Sequence, residues 1–159
     1  MNLDRFRVVN DTLGHAAGDA LLAAAAERLR GCTRADHGLI GNRLGDAPVL
    51  ARLGGDEFGA MLCEIDSADP ADRVARRIVG AFAEPFVIDG KDVFITPSIG
   101  IAMFPGDGAD DAALLRSAGA AMKFAKDGGR NAFHFYREEL NDASLERLQM
   151  ENRLRRAIE

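Results

Sequence analysis

Residues 54–58 read Gly-Gly-Asp-Glu-Phe and stand between two apolar runs, 49–51 and 58–62. Two apolar runs joined by a short glycine-rich link predict a β-hairpin. Adjacent glycines allow a tight turn and the close approach of a bulky ligand. The carboxylates of Asp56 and Glu57 then crowd at the tip, where a divalent cation carrying phosphates would relieve their repulsion. A solvated turn with ordinary acidic residues fits the same pentapeptide, so this motif alone leaves both interpretations open.

The composition narrows the class of protein. The chain has 159 residues, 47% of them hydrophobic, and a formal net charge of −5. These values predict one globular domain with a substantial core. The acidic balance argues against a surface for a nucleic-acid polymer but is compatible with a nucleotide pocket lined by local lysines and arginines. No stretch approaches the roughly 20 apolar residues of a membrane span, so we expect a cytoplasmic domain, and an anchor elsewhere in a longer parent protein stays compatible with this sequence.

Apolar spacing, glycines and prolines predict a mixture of helices and strands around the hairpin. In chain order the predicted elements are a turn at 10–12, a helix from Gly14 to about Arg34, a loop over 35–48, strands over 49–53 and 58–64, a helix that begins at Asp69 and stops at Pro85, a hairpin of 86–88 and 93–96 whose second strand continues to Phe104, a helix from about Asp111 to Lys126, and a strand over 132–136.

Two local details complete this prediction. Asp69 followed by Pro70 is typical of an N-cap and a first helical residue. The spacing in the third long helix predicts that Leu114 and Leu115 both point inward. Mixed strands and helices with two hairpins predict an α/β (α+β) sandwich, in which helices cover a mainly antiparallel sheet.

Six sequence blocks stand in a fixed order along residues 2–136. They are Leu3-Asp4-Arg5-Phe6-Arg7, Asn10-Asp11-Thr12-Leu13-Gly14-His15, Gly18-Asp19, Gly54-Gly55-Asp56-Glu57-Phe58, Ser98-Ile99-Gly100-Ile101-Ala102 and Ala125-Lys126-Asp127-Gly128-Gly129-Arg130-Asn131. Together the blocks resemble the GGDEF family of diguanylate cyclases. The resemblance implies a fold like that of nucleotidyl cyclases and polymerase palms, and condensation of two GTP molecules into cyclic di-GMP and pyrophosphate.

The resemblance also implies how the chain is organised. Residues 1–136 correspond to a GGDEF domain that lacks its usual N-terminal start. Residues 137–159 are charged, carry a narrow apolar seam, and look like the helical connector that leads into an EAL phosphodiesterase domain. We therefore expect a piece of a composite GGDEF-EAL protein with sensory domains, which forms a homodimer for catalysis because each site holds only one of the two GTP molecules.

By resemblance, the hairpin acids carry the metal chemistry. Asp56 is a metal ligand, the Leu3 carbonyl is another, and Glu57 either binds the metal or deprotonates the attacking hydroxyl. The implied cofactor is Mg²⁺ or Mn²⁺. The family has an aspartate where this chain has Asn2, whose amide oxygen can bind the metal but adds no negative charge, so the metal affinity should fall.

The remaining matched positions are implied to bind the nucleotide. Asn10 and Asp19 match the guanine-reading residues, although they also suit a turn and a helix N-terminus. Lys126 and Arg130 match the residues that hold the terminal phosphates, although cations are also common where a helix ends. The other expected substrate contacts are the backbone groups of Phe6, Arg7, Gly54 and Gly55.

A product-inhibition site is a weaker match. In many cyclases an Arg-x-x-Asp motif that binds cyclic di-GMP lies five residues before the glycine pair. Here Arg43 and Asp46 have the right form but lie seven residues before Gly54. We interpret this motif as a chance match more readily than as a working inhibitory site.

Two functions from different classes therefore remain. The first is an active diguanylate cyclase, which the intact 54–58 motif favours. The second is a GTP-binding regulatory module that no longer catalyses and controls an attached cyclic di-GMP phosphodiesterase, which Asn2 and the connector-like tail favour. A cyclase acting on a single nucleoside triphosphate fits less well because all six blocks are present.

Overall fold

The computed structural model describes residues 1–34, 49–63 and 65–140. This part of the chain forms seven strands and four helices. In chain order they are β1 (Asn2–Leu3), α1 (Phe6–Leu13), α2 (His15–Arg34), β2 (Val49–Gly54), β3 (Glu57–Met61), α3 (Asp69–Ala81), β4 (Phe86–Ile88), β5 (Lys91–Val93), β6 (Pro97–Ile101), α4 (Asp111–Asp127) and β7 (Ala132–Phe135).

The main sheet has the strand order β2-β3-β1-β6-β7. All of its neighbouring strands are antiparallel except β6 and β7, which are parallel and are connected through α4. Strands β4 and β5 form a separate antiparallel pair. The predicted α/β sandwich with a mainly antiparallel sheet is therefore confirmed.

Short β1 occupies the centre of this sheet, and helices cover the sheet's core face. Leu3 of β1 and Leu21 of α2 are completely buried, and Phe82 beyond α3 is nearly so. Helix α4 packs very closely on β6, because a Cβ at Gly100 would overlap the carbonyl oxygen of Ala118. A glycine is therefore required at this point of the strand, and it sets the position of α4 against the sheet.

The predicted turn at 10–12 is wrong, because these residues belong to α1. Polar residues in a row favour a turn locally. However, Phe6, Val9 and Leu13 follow the helical spacing i, i+3, i+7, and all three pack on the main core. Tertiary burial of this apolar stripe overrides the local turn preference. The actual break comes at Gly14, which has a φ of 86° and separates α1 from α2.

The predicted long strand from 93 to Phe104 is also wrong. Strand β5 ends at Val93 and β6 begins at Pro97, so the chain passes from the small sheet to the main one between them. Phe94 is 71% exposed at this crossing, although Ile95 is buried. An apolar run shows that strands are present but not which sheet each part joins, and the main sheet takes β6 through its pairing with β1.

Helix boundaries and faces differ slightly from the prediction. Ala68 is the N-cap of α3, and Asp69 is its first residue, where its charge still favours the helix dipole. In α4 the side chain of Leu115 is 59% exposed instead of inward, while Ala121 and Ala125 are buried. Because Gly100 brings the helix axis so close to β6, only small residues fit on the contacting face.

Three predictions fall on residues outside the described part of the chain. They are the loop over 35–48, the inhibitory motif of Arg43 and Asp46, and most of the 137–159 connector. Within the described residues, no helix is long and apolar enough to cross a membrane.

Candidate functional site

The hairpin of β2 and β3 displays the two acidic residues at its tip. A bulge shifts the strand register between Arg52 and Gly54, so that Gly54 pairs with Glu57. Gly54 and Gly55 have φ values of 153° and 50°, and the second lies in the left-handed region that glycine tolerates best. The Arg52 Nε donates a hydrogen bond to the Gly55 carbonyl oxygen at 2.9 Å. The turn is thus held in place, with Asp56 and Glu57 half-buried beside it.

Strand β1 brings two further expected ligands to this tip. Asn2 lies directly opposite Glu57 in the antiparallel pair, so their side chains share one face of the sheet. The backbone N–H of Leu3 donates to the Asp56 carbonyl oxygen at 3.1 Å. Asn2 is only 5% exposed and Leu3 is fully buried. The structure therefore gathers at one place all four residues that the sequence predicted as metal ligands.

This donor set is compatible with a magnesium-like ion. It contains an amide oxygen, a main-chain carbonyl and two carboxylates, which are the oxygen donors that such ions prefer. Among the residues that the structure describes, no group of three or more His, Cys, Asp or Glu side chains could hold a metal ion. Mg²⁺ is commonly held by one or two carboxylates together with waters and substrate phosphates. The set fits such an ion when a phosphate-bearing ligand and water supply the remaining metal ligands.

The N-terminus of α1 lies immediately after these ligands. Arg5, the N-cap residue, has a left-handed φ of 59° and makes no side-chain capping bond among the described residues. Phe6 is buried, which fixes the first turn against the core. The Arg7 side chain instead faces Asp11 at 3.5 Å and is largely exposed. The first turn therefore offers main-chain N–H groups and the positive end of the helix dipole to an anion.

The two residues predicted to read guanine lie on adjacent helices. Asn10 is half-buried on α1, and Asp19 is exposed in the first part of α2. Asp19 also lines a groove of about 340 Å³ that runs between α2 and the hairpin, where Arg52 and Phe58 form part of its other wall. The groove thus links the predicted base-reading end to the hairpin that carries Asp56.

The two predicted phosphate-binding cations lie where α4 ends. Lys126 is half-buried in the last turn of the helix. Beyond it, Gly129 and Arg130 have φ values of 122° and 67°, and the Arg130 N–H donates to the Ala125 carbonyl oxygen at 3.0 Å. The chain therefore doubles back, so that Arg130 remains close to the end of the helix instead of moving away from Lys126.

The ammonium group of Met1 is partly buried at the start of β1. It donates to the Phe58 carbonyl oxygen at 2.9 Å. Burial lowers the pKa of this ammonium to about 6, nearby Glu57 opposes the shift, and Lys126 adds to it. Both charges therefore act on one point at the start of β1, although they are far apart in the sequence.

Asp4 is a residue of this region that the sequence reasoning did not single out. The residue is 5% exposed, and its carboxylate accepts hydrogen bonds from Thr96 Oγ1 and Ser98 Oγ, both at 2.7 Å, and from the Asn131 N–H at 3.1 Å. Its own N–H donates to the Thr96 carbonyl oxygen. Asp4 thus ties the end of β1 to β6 and to the loop that carries Arg130.

Only the folded chain reveals this role of Asp4. The three donors that bond to its carboxylate lie 92, 94 and 127 residues away in the sequence. The one available sequence signal is an acid placed between the core residues Leu3 and Phe6, and that signal does not say which donors meet it. Two of the bonds reach the start of β6 and the third reaches the loop before β7, so Asp4 aligns the loop that carries Arg130 with β1.

Comparison with known proteins agrees with this fold. The family described as "Diguanylate cyclase, GGDEF domain" matches residues 1–132. The chain therefore belongs to the GGDEF family of diguanylate cyclase domains, as the six sequence blocks predicted.

Two curated relatives match nearly the whole of this chain. The chain is similar to the bifunctional diguanylate cyclase/cyclic di-GMP phosphodiesterase MucR of Pseudomonas aeruginosa, with 41% identity over 100% of this chain and 22% of that protein. It is 35% identical to the cyclic di-GMP phosphodiesterase NbdA of the same organism, over 99% of this chain and 19% of that protein. The chain thus spans about a fifth of these curated relatives.

A solved structure supports the fold directly. The GGDEF domain of TpbB from Pseudomonas aeruginosa superposes with a TM-score of 0.78 and 37% identity, covering 92% of this chain and 78% of that one. Identity at this level, together with the shared topology, places the two domains in one structural family.

Proposed function

We propose that this domain condenses two GTP molecules into cyclic di-GMP and pyrophosphate. The observation that carries the proposal is the convergence of Asn2, Leu3, Asp56 and Glu57 at one end of the sheet. Family membership and the similarity to a bifunctional relative support it. Each of the two phosphodiester bonds forms by in-line attack of one nucleotide's ribose 3′-oxygen on the α-phosphorus of the other, and at each attack one pyrophosphate leaves and one hydroxyl proton passes to a base.

Each end of the site has a distinct task in this reaction. Lys126 and Arg130 hold the terminal phosphates, and main-chain N–H groups at the start of α1 hold the anion from the other side. Asn10 and Asp19 bind the guanine edge. When bound, a divalent cation, Mg²⁺ or Mn²⁺, neutralises charge that develops on the phosphate oxygens.

Glu57 is the residue that we assign to the hydroxyl proton. It is half-buried opposite Asn2, a neutral partner that leaves Glu57 and Asp56 as the two carboxylates of the predicted ligand set. A base must lie within hydrogen-bond reach of the proton that it takes. Because one site binds one GTP, the attacking hydroxyl must come from a second copy of the domain, so we propose a homodimer during turnover.

A second candidate function has an observation in its favour. Asn2 supplies no charge where the family has a carboxylate, which weakens metal binding. The similarity to NbdA, a relative named only as a phosphodiesterase, fits a domain that binds GTP and regulates an attached enzyme. For the parent protein we propose a cytoplasmic GGDEF domain fused to an EAL domain through residues 137–159, with a sensory input.

One experiment separates the two functions. The purified 159-residue chain is incubated with GTP and either Mg²⁺ or Mn²⁺, and the products are separated by chromatography while GTP binding is measured by calorimetry. Formation of cyclic di-GMP at a rate per mole of protein that rises with protein concentration supports the dimeric cyclase. GTP binding without product supports the regulatory module, and absence of GTP binding contradicts both.

A further inference from the structure

Gly18 shapes the surface of α2 at the point where α1 approaches it. It is buried, and it immediately precedes Asp19. A Cβ built at this position would overlap Oδ1 of Asn10, and it would stand 3.0 Å from Asn10 Cγ and 3.2 Å from Phe6 Cζ. The carboxamide of Asn10 therefore occupies the space that the missing side chain of Gly18 leaves open.

We propose that Gly18 is a specificity-determining positioning residue, which fixes the Asn10 amide beside Asp19 and thereby sets the preference for guanine. This inference rests on the proposed function, in which Asn10 and Asp19 bind the base. Gly18 does not touch the nucleotide, and it acts only through the orientation of Asn10.

The local packing explains why no other residue fits. The backbone turns between the helices at Gly14, and the Gly14 N–H donates to the Asn10 carbonyl oxygen at 2.9 Å, so Asn10 is held at the end of α1. The ring of buried Phe6 closes the other side of the space that Gly18 leaves open. A methyl group at position 18 must consequently displace the Asn10 amide, because the amide is the end of a flexible side chain and the surrounding backbone is fixed.

Such a displacement changes base recognition and leaves phosphate binding intact. Asn10 lies in the second half of α1 and Asp19 on α2, whereas the phosphate-facing N–H groups are at the opposite end of α1, and Lys126, Arg130 and the hairpin acids lie outside both helices. Loss of one buried polar contact to the base weakens nucleotide binding by about tenfold. The change should therefore appear in affinity for GTP and not in affinity for a ligand without a base.

The test compares Gly18→Ala with Gly31→Ala. Gly31 lies on the same helix, and in the described part of the chain a Cβ there meets no neighbouring atom within 4 Å apart from its own helix. Both changes raise helix propensity equally. Calorimetry with Mg²⁺, in a Glu57→Gln background that suppresses the proposed turnover, measures affinity for GTP, ATP and inorganic triphosphate. We expect Gly18→Ala to weaken GTP about tenfold and leave triphosphate unchanged, while Gly31→Ala changes neither.

A double-mutant cycle identifies Asn10 as the intermediary. If Gly18 acts through the Asn10 amide, Asn10→Ala and the double variant Asn10→Ala/Gly18→Ala should bind GTP with the same affinity. Additive losses, or an equal loss of triphosphate affinity, would show a general structural effect and overturn the inference. Unchanged GTP binding by Gly18→Ala would overturn it as well.

A measurement without nucleotide separates this inference from the proposed function. The side-chain amide resonances of Asn10 in a ¹H–¹⁵N spectrum should shift in Gly18→Ala and stay in place in Gly31→Ala. If they do not move, the positioning role is wrong while the cyclase proposal stands. If the wild-type chain binds ATP and triphosphate as tightly as GTP, the guanine assignment fails, and the specificity role of Gly18 fails with it.

Discussion

The two ends of the candidate site are built in different ways. The proposed base-reading end is local in the sequence, since Asn10, Gly18 and Asp19 lie on two consecutive helices joined at Gly14. The proposed phosphate and metal end is assembled from β1, β3, the N-terminus of α1 and the C-terminus of α4. Local packing between two helices fixes the first end, whereas strand register and the buried carboxylate of Asp4 fix the second.

Because the two ends are built from different elements, mutations at each end should have separable effects. Changes at the base end should alter which nucleotide binds and leave stability nearly constant. Changes at the phosphate and metal end should alter turnover, phosphate affinity or folding, depending on whether the residue faces the ligand or the sheet. The following predictions test that division.

The largest effect is expected from Glu57→Gln. Removing the proposed base should lower the rate of cyclic di-GMP formation by roughly 100-fold or more. The half-buried side chain keeps its size, so the thermal midpoint should change little. Rate assays and a melting curve check this, with Glu138→Gln, an exposed site, as the control. A large loss of thermal stability with modest loss of rate would contradict the functional role.

Asp4→Ala should have the next largest effect, on folding. The substitution leaves Thr96 Oγ1, Ser98 Oγ and the Asn131 N–H without their shared acceptor. We expect the free energy of unfolding to fall by about 3 kcal/mol. Urea denaturation measures it.

Asp4→Asn is the matched control for that change. One amide oxygen can still accept two of the bonds, and a hydroxyl can rotate to accept from the amide group. The loss for Asp4→Asn should therefore be clearly smaller. Equal losses for the two variants would show that the amide restores none of these bonds and that this position requires the carboxylate itself.

Lys126→Ala should weaken binding of GTP and inorganic triphosphate by the same factor, roughly 30-fold, because the lost contact is to phosphate. Lys123→Ala, an exposed site on the same helix, is the control. Calorimetry with both ligands measures the two affinities. A loss for GTP alone would mean that Lys126 contacts the nucleoside, and the division between the two ends of the site would be wrong.

The smallest effect is expected from Asn2→Asp. A carboxylate opposite Glu57 should raise Mg²⁺ affinity by about tenfold in the presence of GTP, because the added charge favours the cation. Without metal, repulsion between the two carboxylates should lower the melting temperature, and added Mg²⁺ should restore it. Metal titrations followed by melting curves test this. An unchanged metal affinity would contradict the account of position 2.

Much of the fold was predictable from local patterns. The 54–58 hairpin, the helix ending at Arg34 and the strand after Gly129 all follow from apolar spacing and glycine position, and all three are confirmed. The turn at 10–12 and the strand to Phe104 were wrong for one reason. In both, a local preference competed with burial against a distant element, and burial decided.

The family, the acidic hairpin and the residue types available for nucleotide chemistry follow from the sequence alone, because these depend on motifs a few residues long. The folded chain is needed to see that Asn2 faces Glu57, that Asp4 joins three distant donors, and that Gly18 makes room for Asn10. Such contacts form when the sheet register and the packing of the helices are fixed together. Residues far apart in the chain carry no local signal of that arrangement.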